Sequence, residues 1–169
     1  MIRPTQARQL PGNLINPTVK RDSSVDKMRI RKLRKEDADE ISRIYAGITM
    51  KAVDPDFKRV VEEHAQRDEE ACFVAESEGK VVGFMISYII TAGFGMAKSA
   101  WIATLGVDPH CMGQGIGARL AEEIFKYYKA QGIENVYTSV RWDSVDLLSF
   151  FKTLGFDRSN FINLRKTVQ

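Results

Sequence analysis

No apolar run in the 169-residue chain approaches the ~18 residues that a membrane-spanning helix needs. The N-terminus lacks the apolar stretch of a secretory signal, so the sequence places the protein in the cytoplasm, with no membrane partner. Cysteine is scarce. Cys72 and Cys111 fit neither a disulfide framework nor a zinc spacing, and no metal is expected. Cys72 lies in an apolar run and reads as core. Cys111 precedes an expected helix start, where the dipole can lower a thiol pKa, although a small loop residue is the commoner reading. The domain also lacks a charge excess. The net charge of +3 comes from residues 1–27, with five basic and two acidic side chains, and the remainder balances at twenty of each. That balance excludes the basic surface of a nucleic-acid binder.

What is present separates into two parts. Residues 1–27 are rich in Pro, Asn, Ser and Gln and show no periodicity, as a flexible extension does. Residues 28–169 read as one domain. Met28–Leu33 alternates apolar and polar residues like a half-buried strand. Ala38, Ile41, Ile44, Tyr45 and Ile48 follow at helical spacing, and Asp54-Pro55-Asp56 opens a second, charged helix. Ala71–Glu76 and Val81–Ile90 form a hairpin signal around Ser77-Glu78-Gly79-Lys80. Ser99–Val107 is a further strand, ended by Asp108-Pro109. Gly115–Gln131 is a helix closed by Gly132. Asn135–Val140 is a strand, a short helix runs from Asp143-Ser144 to Leu154, and Phe161–Val168 is the expected last strand. The order β-α-α-β-β-β-α-β-α-β specifies a mixed α+β sheet.

The chemistry concentrates in Val107-Asp108-Pro109-His110-Cys111-Met112-Gly113-Gln114-Gly115-Ile116-Gly117. A strand ends, a glycine-rich loop follows and a helix starts. The first helix amides have no intrahelical partner, and the dipole favours an anion there. Gly113, Gly115 and Gly117 carry no side chain to block a pyrophosphate. A tight strand-to-helix turn without a ligand is the plainer alternative. Dinucleotide binding is the sharper rival, because Gly113–Ala118 fits G-x-G-x-x-A. The preceding hairpin and the 52 residues after Gly117 argue against a doubly wound sheet.

Two blocks carry a family resemblance: Leu105–Pro109 with Gly113–Leu120, and Val140-Arg141 with Phe151-Lys152-Thr153-Leu154-Gly155-Phe156. On these residues the chain resembles the GNAT superfamily of acyl-CoA-dependent N-acyltransferases over residues 28–169. The Val-Arg-x-x-Ser run is similar to the branch that acetylates ribosomal protein N-termini. The resemblance implies a GNAT-like α+β fold: a mostly antiparallel splayed sheet of six to seven strands, flanked by about four helices. It implies acetyl-CoA as co-substrate. Leu105, Gly106 and Val107 would lie along the pantetheine, with the Leu105 and Val107 backbone pairing to it. Amides of Met112, Gly113, Gln114, Gly115, Ile116, Gly117 and Ala118 would hold the pyrophosphate. Ser144 and Phe151 would lie near the pantetheine and thiol.

The chain departs from the family pattern at four positions. Met112 replaces the usual Arg or Gln, and Ser144 the usual Asn. Phe151 replaces a tyrosine that could protonate the leaving thiolate. Trp101 stands where a general-base glutamate is frequent, and Ala97–Val107 holds no acid. No catalytic residue is assigned, since His64, His110, Tyr45, Tyr88 and Asp146 each have a structural reading, and Asp143 reads as a helix cap. Arg141-Trp142 could orient an acidic acceptor, or Arg141 could pair with a carboxylate. The expected function is acetyl transfer to a primary amine of a protein or small molecule, with a catalytically impaired CoA-binding regulatory module as the alternative. Acceptor choice would lie in the first two helices and in Thr91–Lys98. A homodimer is left open.

Overall fold

The computed structural model describes residues 28–168 apart from positions 92 and 94. The expected flexible extension, residues 1–27, lies outside the described residues. Strand β1 (Arg29–Lys32) is followed by a 3-10 turn and helix α1 (Ala38–Thr49), then α2 (Pro55–His64). Asp54 caps α2 by accepting a hydrogen bond from the Asp56 amide at 2.9 Å. Strands β2 (Phe73–Ser77) and β3 (Lys80–Ile90) form the expected hairpin. Glu78 and Gly79 both take positive φ, as a two-residue turn with the right twist requires. Strand β4 (Ser99–Val107), helix α3 (Ile116–Ala130), strand β5 (Val136–Thr138) and helix α4 (Val145–Thr153) complete the order.

The five strands run β1-β2-β3-β4-β5 across one sheet. The first three pairings are antiparallel, and β5 joins β4 in parallel. Helices α1 and α2 cover one face, where Ile41, Val61, Val74, Phe84 and Ile86 are buried. On the other face α3 buries Leu120, Ile124 and Tyr128 against Met85 and Ile102. These stripes recur at helical spacing on α3 and at alternate positions on the strands, so periodicity decided which face is buried.

The sheet is shorter than expected. Residues 161–168 were expected to be its last strand, yet they carry no strand ladder. Their alternation is strand-like, but no described neighbour pairs with their backbone. The expected charged helix to Arg67 also stops at His64, where a tighter turn takes over.

Two polar knots hold elements that hydropathy alone would leave loose. Arg31 bonds both carboxylate oxygens of Asp37 at 2.7 and 2.8 Å and Glu76 at 2.6 Å, fixing the start of α1 to β1 and β2. In the core, the Ser87 hydroxyl donates to the Ala71 carbonyl, and the Tyr128 oxygen accepts from the Ala71 amide at 3.2 Å. The Ser87 proton is thus committed, so Tyr128 donates to Ser87 Oγ across 3.0 Å. The triangle satisfies four buried polar groups and ties α3 to β3 and to the residue two before β2. Tyr128→Phe leaves the Ala71 amide unpaired and is expected to cost about 1–3 kcal/mol in urea unfolding, with an unchanged m-value.

Candidate functional site

The site begins where β4 and β5 part. They pair only through Ala100–Ile102 and Val136–Thr138. The Ala100 amide donates to the Asn135 carbonyl at 2.9 Å, and Thr138 Oγ1 donates to the Ile102 carbonyl at 3.0 Å. Beyond Ile102 no β5 residue accompanies β4. A bulge lies at the same place: Ile86 faces Thr104 and Ser87 faces Ile102, leaving Ala103 extra. One added residue reverses which backbone groups point to which side. The Asp108 amide bonds the Val82 carbonyl at 2.9 Å, toward β3. By alternation, the N–H and C=O of Leu105 and Val107 turn to the open side. These are the two residues expected to pair with a pantetheine arm. Gly106 faces the other way, and a Cβ there would come within 2.6 Å of the Phe84 ring and 2.8 Å of Ile48. Its glycine serves the α1 packing rather than ligand access.

The loop after β4 makes a 3-10 turn at Pro109–Cys111, capped by Asp108 Oδ1 accepting from the His110 amide at 2.9 Å. His110 is exposed. Cys111 closes this turn instead of standing at the α3 start, and burial together with Asp108 pushes its thiol pKa up. Cys111 thus belongs to the 3-10 turn, as its loop reading had it. Met112, Gly113, Gln114 and Gly115 are exposed. Gly113 and Gly115 have φ of 80° and 75°, a region that glycine adopts without strain, and a Cβ on either would meet open space. Gly115 is the N-cap of α3 and supplies no side-chain bond. The first α-helical hydrogen bond runs from the Arg119 amide to the Gly115 carbonyl at 3.1 Å. The amides of Ile116, Gly117 and Ala118 thus lack an intrahelical acceptor, as an anion site requires. Ile116 itself is buried. Gly117 departs from the expectation of ligand access: a Cβ there would touch the Phe150 ring at 3.0 Å, so it admits α4 instead.

Helix α4 closes the far side. Its N-cap is Ser144, without a side-chain capping bond. Asp143, expected as the cap, is held in a two-pronged pair with Arg141, whose Nε lies 2.8 Å from Asp143 Oδ1. That exposed arginine lowers the Asp143 pKa, and the pairing reading of Arg141 is the one observed. Phe151 is only 4% exposed, with its ring centroid 5.3 Å from Phe150 and 5.0 Å from Phe156. It packs α4 onto the core and lines the cavity beside β5, and offers no hydroxyl.

Of the other candidates, Asp146 is exposed in the first turn of α4, whereas His64 and Tyr45 are engaged elsewhere. Trp101 lies opposite Tyr88, and both are half-buried. The His64 ring stacks on Tyr88, and its Nδ1 pairs with Glu70. Arg67 binds the other Glu70 oxygen at 3.0 Å. Cys72 joins His64 and Glu70 within 4.8 Å, a donor set of metal-ligating type. Its thiol donates to the Ser87 carbonyl, and burial pushes its pKa up to about 12, while Arg67 already supplies positive charge to Glu70. We read this cluster as a paired network fixing the end of α2. Tyr45 stacks on Phe57 at 4.1 Å, a packing role. Composition gave no sign of the Ala103 bulge, which nevertheless selects the backbone groups that face the opening.

The chain matches the Acetyltransferase (GNAT) family over residues 37–156. Mycothiol acetyltransferase of Amycolatopsis mediterranei (strain U-32) is 32% identical over 103 residues, covering 59% of this chain and 34% of that protein. The chain thus matches about a third of the length of this curated relative. An aminoglycoside acetyltransferase from an uncultured soil metagenomic sample, solved with sisomicin, superposes with a TM-score of 0.71 at 21% identity, covering 85% of this chain and 98% of that one. An aminoglycoside N-acetyltransferase solved with CoA gives 0.71 at 17% identity, over 83% and 94%. These two structures share the fold, and the family match takes in the bulged strand, the glycine loop and α4 alike. The chain belongs to the GNAT family of acetyltransferases.

Proposed function

We propose that the protein transfers an acetyl group from acetyl-CoA to a primary amine by direct attack in a ternary complex. The observation that carries this reading is the continuity between the open β4 edge at Leu105 and Val107 and the unpaired amides at the start of α3. An extended arm ending in a pyrophosphate fits that continuity: the edge offers strand-like hydrogen bonds, and the loop offers amides with no competitor among the described residues. The open space above Gly113 and Gly115 leaves room for the phosphates.

Bound acetyl-CoA supplies a thioester whose acyl carbon takes the amine nitrogen while the C–S bond breaks and the thiol departs. The chain's part is placement and polarisation. The outward amide of Val107 is positioned to stabilise charge on the acyl oxygen. Holding both reactants in one cleft contributes several kcal/mol more. Neither Trp101 nor Phe151 can carry a proton, so the ammonium proton leaves to water. That route suits an amine of low pKa, such as an α-amino group near ~8, better than a lysine near ~10.4. The names of the relatives, mycothiol and aminoglycoside acetyltransferases, support a small-molecule amine. A CoA-binding module without catalysis is the second reading, favoured only by the missing acid on β4 and the phenyl ring at 151.

Amine-dependent thiol release from acetyl-CoA separates the two, because tight binding with no release from any amine of a panel would favour the module. For the enzyme, kcat/KM is expected to rise about tenfold per pH unit up to the pKa of each amine tested. A plateau near pH 6–7 shared by amines of different pKa would reveal a protein base and contradict this mechanism.

Met112 is 54% exposed at the mouth of the loop. Met112→Arg adds a charge-assisted contact to phosphate without disturbing packing, and is expected to tighten CoA binding several-fold in calorimetry. Gln114→Glu, at another exposed position, brings negative charge to the same point and is expected to weaken binding by about tenfold. If both variants bind CoA like the parent protein, the phosphates are not at this loop.

A further inference from the structure

Tyr88, Trp101 and Tyr137 stand side by side across three strands. Tyr88 is the register partner of Trp101, and Trp101 of Tyr137, so the three side chains leave the sheet on one face. Their neighbours show which face it is. The Ser87 hydroxyl meets Tyr128 of α3. Tyr88, next in β3, turns the other way and stacks on His64 at the end of α2, with ring centroids 6.0 Å apart. At the outer end the Phe161 ring meets Tyr137 edge-on at 6.0 Å. Neither hydrophobic core accounts for this row. The core beneath α1 and α2 draws its strand residues from β2 and β3, while Ala100, Ile102 and Val136 belong to the core beneath α3. Tyr88, Trp101 and Tyr137 are half-buried and belong to neither. Trp101, in the middle, makes no ring contact and no hydrogen bond with a described residue, and neither tyrosine hydroxyl has a hydrogen-bond partner among them.

The row stands at the closed end of the gap between β4 and β5, whose pairing reaches only to Ile102 and Thr138, one residue past Trp101 and Tyr137. An acyl arm laid from the α3 amides along Val107 and Leu105 points toward it. Strands β3, β4 and β5 carry no acidic residue, and Glu70, beside His64, is already bonded by His64 and Arg67. The surface thus offers rings and hydroxyls, without a carboxylate for an ammonium. We propose that this row selects the acceptor and that it takes an arylalkylamine, a single primary amine on a short chain from a flat aromatic ring. The inference rests on the acetyl-transfer reading of the same cleft. A flat ring gains from stacking on Trp101 and from edge contacts with the two tyrosines. A polyamine or an amino sugar with several charges finds no carboxylate on these strands to pair with its ammonium groups. The missing acid also agrees with the chemistry. A carboxylate beside the amine favours the ammonium form, which cannot attack, and a ring does so far less. Where the family resemblance leads one to expect a general-base glutamate, Trp101 thus supplies recognition in place of proton transfer.

The test reads the indole N–H signals of the full-length protein by NMR, one from Trp101 and one from the exposed Trp142. Trp142→Phe assigns them. With the protein saturated with CoA, so that no transfer occurs, 2-phenylethylamine is expected to shift the Trp101 signal and leave that of Trp142 in place. At the same concentration n-butylamine and spermidine are expected to leave both. A Trp101 signal that no amine moves, or that n-butylamine or spermidine moves as far, overturns the proposal. This readout involves no acetyl transfer, so it holds whether or not the protein is an enzyme, and amine-dependent thiol release tests that reading separately. In thiol release, kcat/KM for 2-phenylethylamine is expected to exceed that for n-butylamine by about tenfold. Trp101→Phe keeps a ring and is expected to keep most of this preference. Trp101→Leu is expected to abolish it, with CoA affinity unchanged. A Trp101→Leu variant that lowers kcat/KM for both amines alike marks a merely structural residue and overturns the proposal.

Discussion

The separation of β4 from β5 after only three paired residues is the constraint on which the rest of the site depends. A fully paired β4 would spend the backbone groups of Leu105 and Val107 within the sheet. The extra residue at Ala103 works together with this divergence. It reverses the alternation so that these two residues, and not Thr104 and Gly106, face the gap. Gly106 is then free to serve the opposite face, where Phe84 and Ile48 leave no room for a Cβ. Sheet geometry, rather than any reactive side chain, would define the proposed binding surface. A surface of this kind would tolerate unusual residues at Met112, Ser144 and Phe151.

The same division explains how the catalytic groups could be absent without loss of the fold. Glycines, unpaired amides and a strand edge bind by backbone, and backbone is insensitive to most substitutions. Proton transfer needs a particular side chain, and neither Trp101 nor Phe151 provides one. The ionisable cluster of His64 with Glu70 and Arg67 is committed to holding the end of α2. An amine that can lose its own proton to water relieves the protein of that task.

Most elements were legible in the sequence because their cause is local. Asp54-Pro55-Asp56 specifies a helix start, Glu78-Gly79 a tight turn, and Gly113 through Gly117 a loop before a helix. What was not legible depended on contacts distant in sequence. Gly117 looked like a ligand-facing glycine and instead admits Phe150. Asp143 had the composition of a cap but found Arg141 nearer. Cys111 stood close to a helix start in sequence and yet closes a separate turn, where burial raises its pKa. The segment 161–168 shows strand alternation correctly, but a strand is a relation between two segments, and its described neighbours supply no partner. Alternation reports which face would be buried; it does not report what buries it.

We propose that one continuous line of backbone groups, from the open edge of β4 into the first turn of α3, holds acyl-CoA. Amide hydrogen exchange with and without acetyl-CoA tests it most directly. Slowed exchange is expected at Leu105, Val107, Ile116, Gly117 and Ala118, with the Asp108 amide, already bonded to Val82, little changed. Saturating acetyl-CoA that left those five amides unprotected, or protected a different edge of the sheet, would contradict it.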